Sequence, residues 1–218
     1  MRRIVGLAAG LIVASSAFAP LALADHHEKA GDGHDHGAPG AAMDEAMMKQ
    51  WTEMAAPGEH HQHIAKFAGA WNYKSKMWMD PSAPPMESEG KSTNEMILGG
   101  RFLKQNITGT MMGMPFEGIS IDGFDKATGK HTAVWMDNMG TMTMMFEGAC
   151  SAQDMSTTMT STYLDPMSGQ RTSSKTVSRW KDPGTMVFEM YNLLPDGSEV
   201  KTMEVVYTKA MEAKKAGS

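Results

Sequence analysis

The chain has 218 residues, 25 acidic against 20 basic side chains for a net charge of −5, and a single cysteine. That length is enough for one domain with its own core, while the acidic balance excludes a nucleic-acid partner, which needs a basic face. One cysteine excludes an intrachain disulfide, so the core alone must hold the fold.

Residues 1–24 read as a secretory signal peptide: Arg2 and Arg3, an apolar run from Ile4 to Val13, then Ala22-Leu23-Ala24 as an A-x-A cleavage site. Gly6 and Gly10 interrupt the run and Ser15, Ser16 and Pro20 follow it, so it falls short of the roughly 20 residues of a membrane span. No cysteine stands near the cleavage site to carry a lipid. The expected mature protein starts near Asp25, has no membrane span, and is periplasmic or secreted. It carries 18 basic and 25 acidic residues, a net −7 over 194 residues, which also disfavours anionic membrane surfaces.

Residues 25–42 begin DHHEKAGDGHDHGAPG, rich in histidine and glycine and without a large apolar side chain, and are expected to form a disordered tail. Cleavage before Asp25 would leave Asp25-His26-His27. A free amine with histidine in third place can wrap Cu(II) or Ni(II) in a square-planar nitrogen set, and square-planar nitrogen suits those ions. His34 and His36 offer a second, weaker site for Cu or Zn; the competing reading is a solvated spacer. Residues 43–68 then read as a short helical lead-in. Met43, Met47, Trp51 and Met54 recur at helical spacing up to Pro57-Gly58, and a second short helix is predicted from about Glu59 to Phe67 with Ile64 and Phe67 inward.

From Gly69 to Lys209 the sequence becomes a series of short segments rich in Thr, Val, Met and aromatic residues, and residues 210–218 form a C-terminal tail. Turn clusters interrupt it at Asp80–Pro85, Gly99-Gly100, Gly113–Pro115, Asp125–Gly129, Asn138–Gly140, Asp154, Asp165–Gly169, Asp182–Gly184 and Pro195–Gly197. Nine breaks imply ten strands, and links this short pair each strand with its sequence neighbour. The predicted fold is all-β: an antiparallel up-and-down barrel of about ten strands behind one or two short helices, closed because closure removes exposed edges. Met142, Met144 and Phe146 share one face of their segment and Met186, Phe188 and Met190 one face of theirs, but alternation alone leaves the inward face open. Ten strands make a wall wide enough for a cavity.

Methionine is abundant, at 24 residues. Thioethers are soft Cu(I) ligands, flexible fillers of irregular apolar space, and sinks for oxidants; their apolar strand positions favour core and cavity lining. Cys150 reads as a small buried apolar residue. No catalytic set is legible, since Asp137, Glu117, Glu147, Glu204 and Arg101 fall on separate segments and no nucleophile and base stand at a characteristic spacing.

Several landmarks occur in order between Pro57 and Lys209: PGEHHQHIAKFAGAW, LGGRFL, MMGMPFEG, Gly123–Asp125, VWMDNMGTM, Asp165-Pro166 and DGSEVKTMEVVYTK. In these the chain resembles the bacterial family called domain of unknown function 1579 (DUF1579). The resemblance implies a calycin-like barrel, similar to lipocalins, fatty-acid-binding proteins and nitrobindin-like proteins, and it carries no activity with it. Gly69-Ala70-Trp71 resembles the lipocalin G-x-W, whose tryptophan closes one end of the barrel. Nitrobindin-like proteins hold haem through a histidine; here the only strand-region histidine, His131, adjoins a turn and is expected at the surface, so haem is not expected.

Three functional expectations follow. In the first, the barrel binds a small apolar or amphipathic molecule, with Trp71, Arg101, Trp135, Asp137 and Glu204 lining or gating the cavity. In the second, Asp25, His26, His27, His34 and His36, with the methionines, bind or buffer copper or another metal in the periplasm. In the third, polar side chains from several strands converge inside the barrel as an enzyme site.

Overall fold

A computed structural model describes residues 44–151, 156–166 and 168–211. The expected signal peptide and histidine-rich tail, including Asp25, His26, His27, His34 and His36, lie outside them, as does most of the C-terminal tail.

Two helices precede the sheet, α1 (Glu45–Ala55) and α2 (Glu59–Ala65). Asp44 caps α1 by accepting the Met47 N–H at 2.7 Å, which satisfies one of the free donors of the first turn. At the other end, the Lys126 ammonium donates to the Glu53 and Ala56 carbonyls at 2.6 and 3.2 Å. The helix lies where its spacing predicts it, but its apolar stripe of Met47, Trp51 and Met54 is exposed. In α2 the Gly58 N–H donates to His61 Nδ1 at 3.0 Å, and Ile64 and the following Phe67 are buried as predicted.

Ten strands follow: β1 (Gly69–Met77), β2 (Met86–Ile97), β3 (Phe102–Met111), β4 (Met114–Asp125), β5 (Lys130–Asp137), β6 (Met144–Cys150), β7 (Ser156–Leu164), β8 (Arg171–Asp182), β9 (Thr185–Leu193) and β10 (Glu199–Lys209). Each pairs antiparallel with its sequence neighbours, and β1 pairs with β10 from Trp71↔Lys209 to Met77↔Met203, so the sheet closes into a ten-stranded barrel. Every interstrand link falls at a turn cluster read from the sequence. The tightest is Met112-Gly113, with φ of 51° and 76°; two left-handed residues give the reverse turn whose twist matches a two-residue hairpin.

The end of the barrel where β1 starts is sealed. The Trp71 ring, 1% exposed, packs on Phe67 and Trp180, and its Nε1–H donates to the Phe67 carbonyl at 3.0 Å. The same carbonyl accepts from Asn94 Nδ2 at 2.8 Å. One backbone oxygen thus ties the lead-in to both β1 and β2. Helix α2 packs over the same end against β3 and β4. Among the described residues no helix covers the opposite end.

Gly90 and Gly109 are cut to fit Tyr73. A Cβ on Gly90 would stand 2.2 Å from the Thr108 carbonyl oxygen and 2.6 Å from Tyr73 Oη, and one on Gly109 2.3 Å from the same Oη. Since the first obstacle is backbone, it cannot swing aside. We expect Gly90→Ala to cost about 2 kcal/mol through overpacking and to lower the melting temperature by roughly 4–8 °C, as followed by circular dichroism; an unchanged melting temperature would show that the β2–β3 wall is loose there.

Candidate interior binding site

Inside the barrel lies a cavity of about 450 Å³, within the range of small-molecule pockets. Its wall is mostly apolar. Seven methionines face it, from Met77 on β1 through Met111, Met144, Met159, Met186 and Met190 to Met203 on β10, together with Leu103, Ile107, Phe116 and Phe188. Strand alternation explains the arrangement. On β9 Met186, Phe188 and Met190 point inward, which leaves Val187, Glu189 and Tyr191 outside.

Besides scattered serines and threonines and the histidines, two carboxyl-centred clusters interrupt this lining. The deeper is Asp122 on β4. Its Oδ2 accepts from Gln105 Nε2 on β3 at 2.7 Å and from Ser120 Oγ at 2.8 Å, and what surface it leaves open faces the cavity. Burial pushes its carboxyl above the ordinary range, against the opposing effect of those two donors. Tyr73 and Tyr207 stand nearby with ring centres 5.9 Å apart; burial, then Tyr73 and Asp122, raise the Tyr207 phenol far above its usual value. The second feature lies nearer the unsealed end. Trp135 Nε1–H donates to Asp137 Oδ2 at 2.8 Å, and Asp137 Oδ1 accepts the Met139 N–H at 2.9 Å. Trp135 stacks on Phe116 with centroids 6.3 Å apart, over the space left by Gly118, where a Cβ would come within 2.5 Å of the indole. Among the described residues no lysine or arginine lines the cavity.

Histidines gather at the seam between α2, which carries His60, His61 and His63, and β5, which carries His131. His60 stacks on Phe124 at 3.9 Å, and its Nδ1 meets His131 Nε2 at 3.0 Å. His131 is 4% exposed and faces the cavity, which corrects its expected surface position: its turn neighbours are exposed, but α2 lies over it. Burial, then His60, His63 and His61, lower its imidazole to about 4. His63 also reaches the cavity wall, and its Nδ1 is buried without a partner. Among the described residues no three His, Cys, Asp or Glu side chains are placed to hold a metal ion.

Of the five interior residues expected from sequence, only Trp135 and Asp137 line the cavity together. Trp71 seals the floor beneath it. Arg101 sits in the β2–β3 turn, its guanidinium donating to the Leu98 carbonyl at 3.1 Å. Glu204 faces outward because Met203, Val205 and Tyr207 take the inward positions of β10, and it pairs with Lys201 at 2.9 Å. Asp122, Gln105, Ser120 and Tyr207 were missed. Phe116, Gly118, Ser120 and Asp122 alternate along β4, so the signal was there once Phe116 is known to point inward. Cys150 is half-buried, its Sγ 3.7 Å from the Ser151 carbonyl.

A family model described as "Protein of unknown function (DUF1579)" matches residues 56–209, which spans α2 and the entire barrel. The chain belongs to the DUF1579 family. No curated protein matches this DUF1579 chain by sequence. Among solved structures it is similar to "Crystal Structure of Rv2717c from M. tuberculosis", with a TM-score of 0.54 and 13% identity over 72% of this chain and 100% of that one. At that identity the likeness carries the barrel and not its contents.

Two expectations follow for this site. His131 is held neutral below its ordinary value of 6.5, so its contribution to stability is complete above that pH and is lost as pH falls toward about 4. The melting temperature of the native protein should therefore drop more between those two values than that of His131→Gln; parallel curves would remove His131 as the cause. Asp122 is raised, so the fold is favoured below the ordinary carboxyl range and loses that contribution as pH climbs. Asp122→Asn keeps the Gln105 and Ser120 partners without the buried charge, and should melt higher than wild type at neutral pH, with a gain that shrinks on acidification.

Proposed function

We propose that this protein is an exported barrel that binds a small apolar or amphipathic molecule in its interior. The observation that carries the proposal is the cavity of about 450 Å³ with its methionine-rich wall and its few placed polar groups. Pockets of this kind take drug-sized ligands: apolar lining supplies affinity and a handful of polar atoms fixes orientation. Methionine suits such a wall because its unbranched, polarisable side chain adapts to irregular shapes. The features of residues 1–24 support export and a periplasmic or secreted location. Copper or zinc capture by Asp25, His26, His27, His34 and His36 is a separate proposal, for residues outside those described.

Polar side chains from β3, β4 and β5 do converge on the cavity, which is what an enzyme site would require. Their arrangement favours binding: Ser120 is hydrogen-bonded to the Asp122 carboxyl rather than to an imidazole, and Asp137 is tied to Trp135 and the Met139 backbone.

The neutral fluorophore N-phenyl-1-naphthylamine tests the cavity directly. We expect a saturable, single-site rise in emission with the native protein, reduced at least roughly tenfold in affinity when Ala133→Trp drives an indole into the space. The milder Ile107→Phe serves if the first variant melts prematurely. Absence of binding, or binding that neither filling substitution weakens, would overturn the proposal.

A further inference from the structure

The charge inside the barrel is one-sided. Among the described residues two carboxyl groups, Asp122 and Asp137, face the cavity, and the only basic side chains in its lining are the imidazoles of His63 and His131, both lowered chiefly by burial. The lysines and arginines that pair with acids do so elsewhere: Lys130 with Glu147, Lys175 with Glu199, and Arg179 and Lys201 with Glu189. Glu189 is on the outward face of β9, so this neutralisation does not reach the interior.

Asp122 is the point of interest. Both of its protein donors, Gln105 Nε2 and Ser120 Oγ, go to Oδ2. Oδ1 has no hydrogen-bond partner among the described residues, and the group's open surface is the cavity itself. A carboxyl removed from water, half-satisfied and without a countercharge is costly. A ligand that brings the missing donor would relieve that cost, and an ammonium would bring both the donor and the charge. Aromatic faces suited to a cation border the same space at Tyr73, Tyr207, Phe116 and Trp135. Asp122 pairs with Ala133 and Gly118 with Asp137 across the β4–β5 ladder, so Asp122 lies four positions deeper than Asp137, about 13 Å along the strand.

We propose that the cavity selects amphipathic molecules with a cationic amine, which enters first and pairs with Asp122, while the apolar body lies along the methionine wall. Anionic amphipaths of the fatty-acid type are rejected, because their carboxylate would meet two acids and no lysine or arginine. The inference rests on the cavity being a binding site, and it names the class of ligand that site takes.

The test uses three ligands of equal chain length, decylamine, decanol and decanoate, below their micellar concentrations, in displacement of N-phenyl-1-naphthylamine at neutral pH. We expect decylamine to bind roughly tenfold to a hundredfold more tightly than decanol, as for a hydrogen bond to a charged group, and decanoate to bind more weakly than either. In Asp122→Asn the amine-to-alcohol ratio should fall to about one, and in Asp137→Asn it should be largely retained, which separates the deep carboxyl from the one at the mouth. Decanoate binding as tightly as decylamine, or a ratio unmoved by Asp122→Asn, would overturn the selectivity. If the fluorophore and all three ligands fail to bind, the cavity reading itself is wrong, a result distinct from equal binding of all three.

Discussion

A closed wall of ten strands is wider than its own side chains can fill, and the rest of the molecule answers to that constraint. Eight strands leave an interior that side chains just occupy, whereas each added strand widens the circle. The chain closes one end with aromatic bulk at Trp71, Phe67 and Trp180, held by the doubly accepting Phe67 carbonyl. Had a polar side chain stood in place of Trp71, neither that hydrogen bond nor the seal would form. Glycines do the opposite work on the wall. At Gly90, Gly109 and Gly118 they make room for Tyr73 and Trp135, so that large rings lie against the wall instead of crossing the space.

Inside and outside are sorted by charge as well as by polarity. Alternation along each strand sends Glu147, Glu189 and Glu204 outward, where lysine and arginine meet them. The more exposed of these pairs contribute little to stability, while Glu189 is itself buried on the outer side beneath Arg179 and Lys201. Among the described residues, what faces the cavity is a pair of carboxyl groups and two imidazoles whose pKa values burial lowers. The His60–His131 contact belongs to the same economy of space: one ring donates and the other accepts in a single hydrogen bond at the seam between α2 and the barrel.

The organisation of the domain was legible in the sequence because turns are local. Pro, Gly, Asp and Asn mark all nine links, and regular short spacing leaves an up-and-down order as the simplest solution. The interior was less legible because the strand period of two gives two faces without naming them. Trp135 and Asp137 do line the cavity; Asp122, which lines it too, was not singled out, since nothing near it fixes which way β4 points. Glu204 and Arg101 failed for related reasons, one on the outward phase of β10 and one in a turn that a linear reading cannot set apart from a wall position. His131 was misjudged because its exposure depends on α2, which is 66 or more positions away in sequence. The apolar stripe of α1 shows the reverse error: helical spacing forms the helix, yet the covering surface that such a stripe leads one to expect is not found among the described residues.

A lining in which methionine is the commonest residue has a consequence for recognition. Rigid, branched walls discriminate by shape, since a misplaced methylene meets a fixed surface. Thioether chains re-pack around different bodies at small cost and so discriminate weakly. In this cavity the fixed elements are the Asp122–Gln105–Ser120 cluster and the Trp135–Asp137 pair, each oriented by hydrogen bonds to neighbouring strands or to its own. On the proposed reading, selectivity comes from those few oriented atoms, and above all from the Asp122 oxygen that faces the cavity without a partner among the described residues. On the proposed reading the barrel therefore combines a tolerant wall with a demanding point, so that a ligand's polar group decides its fit before its apolar shape matters.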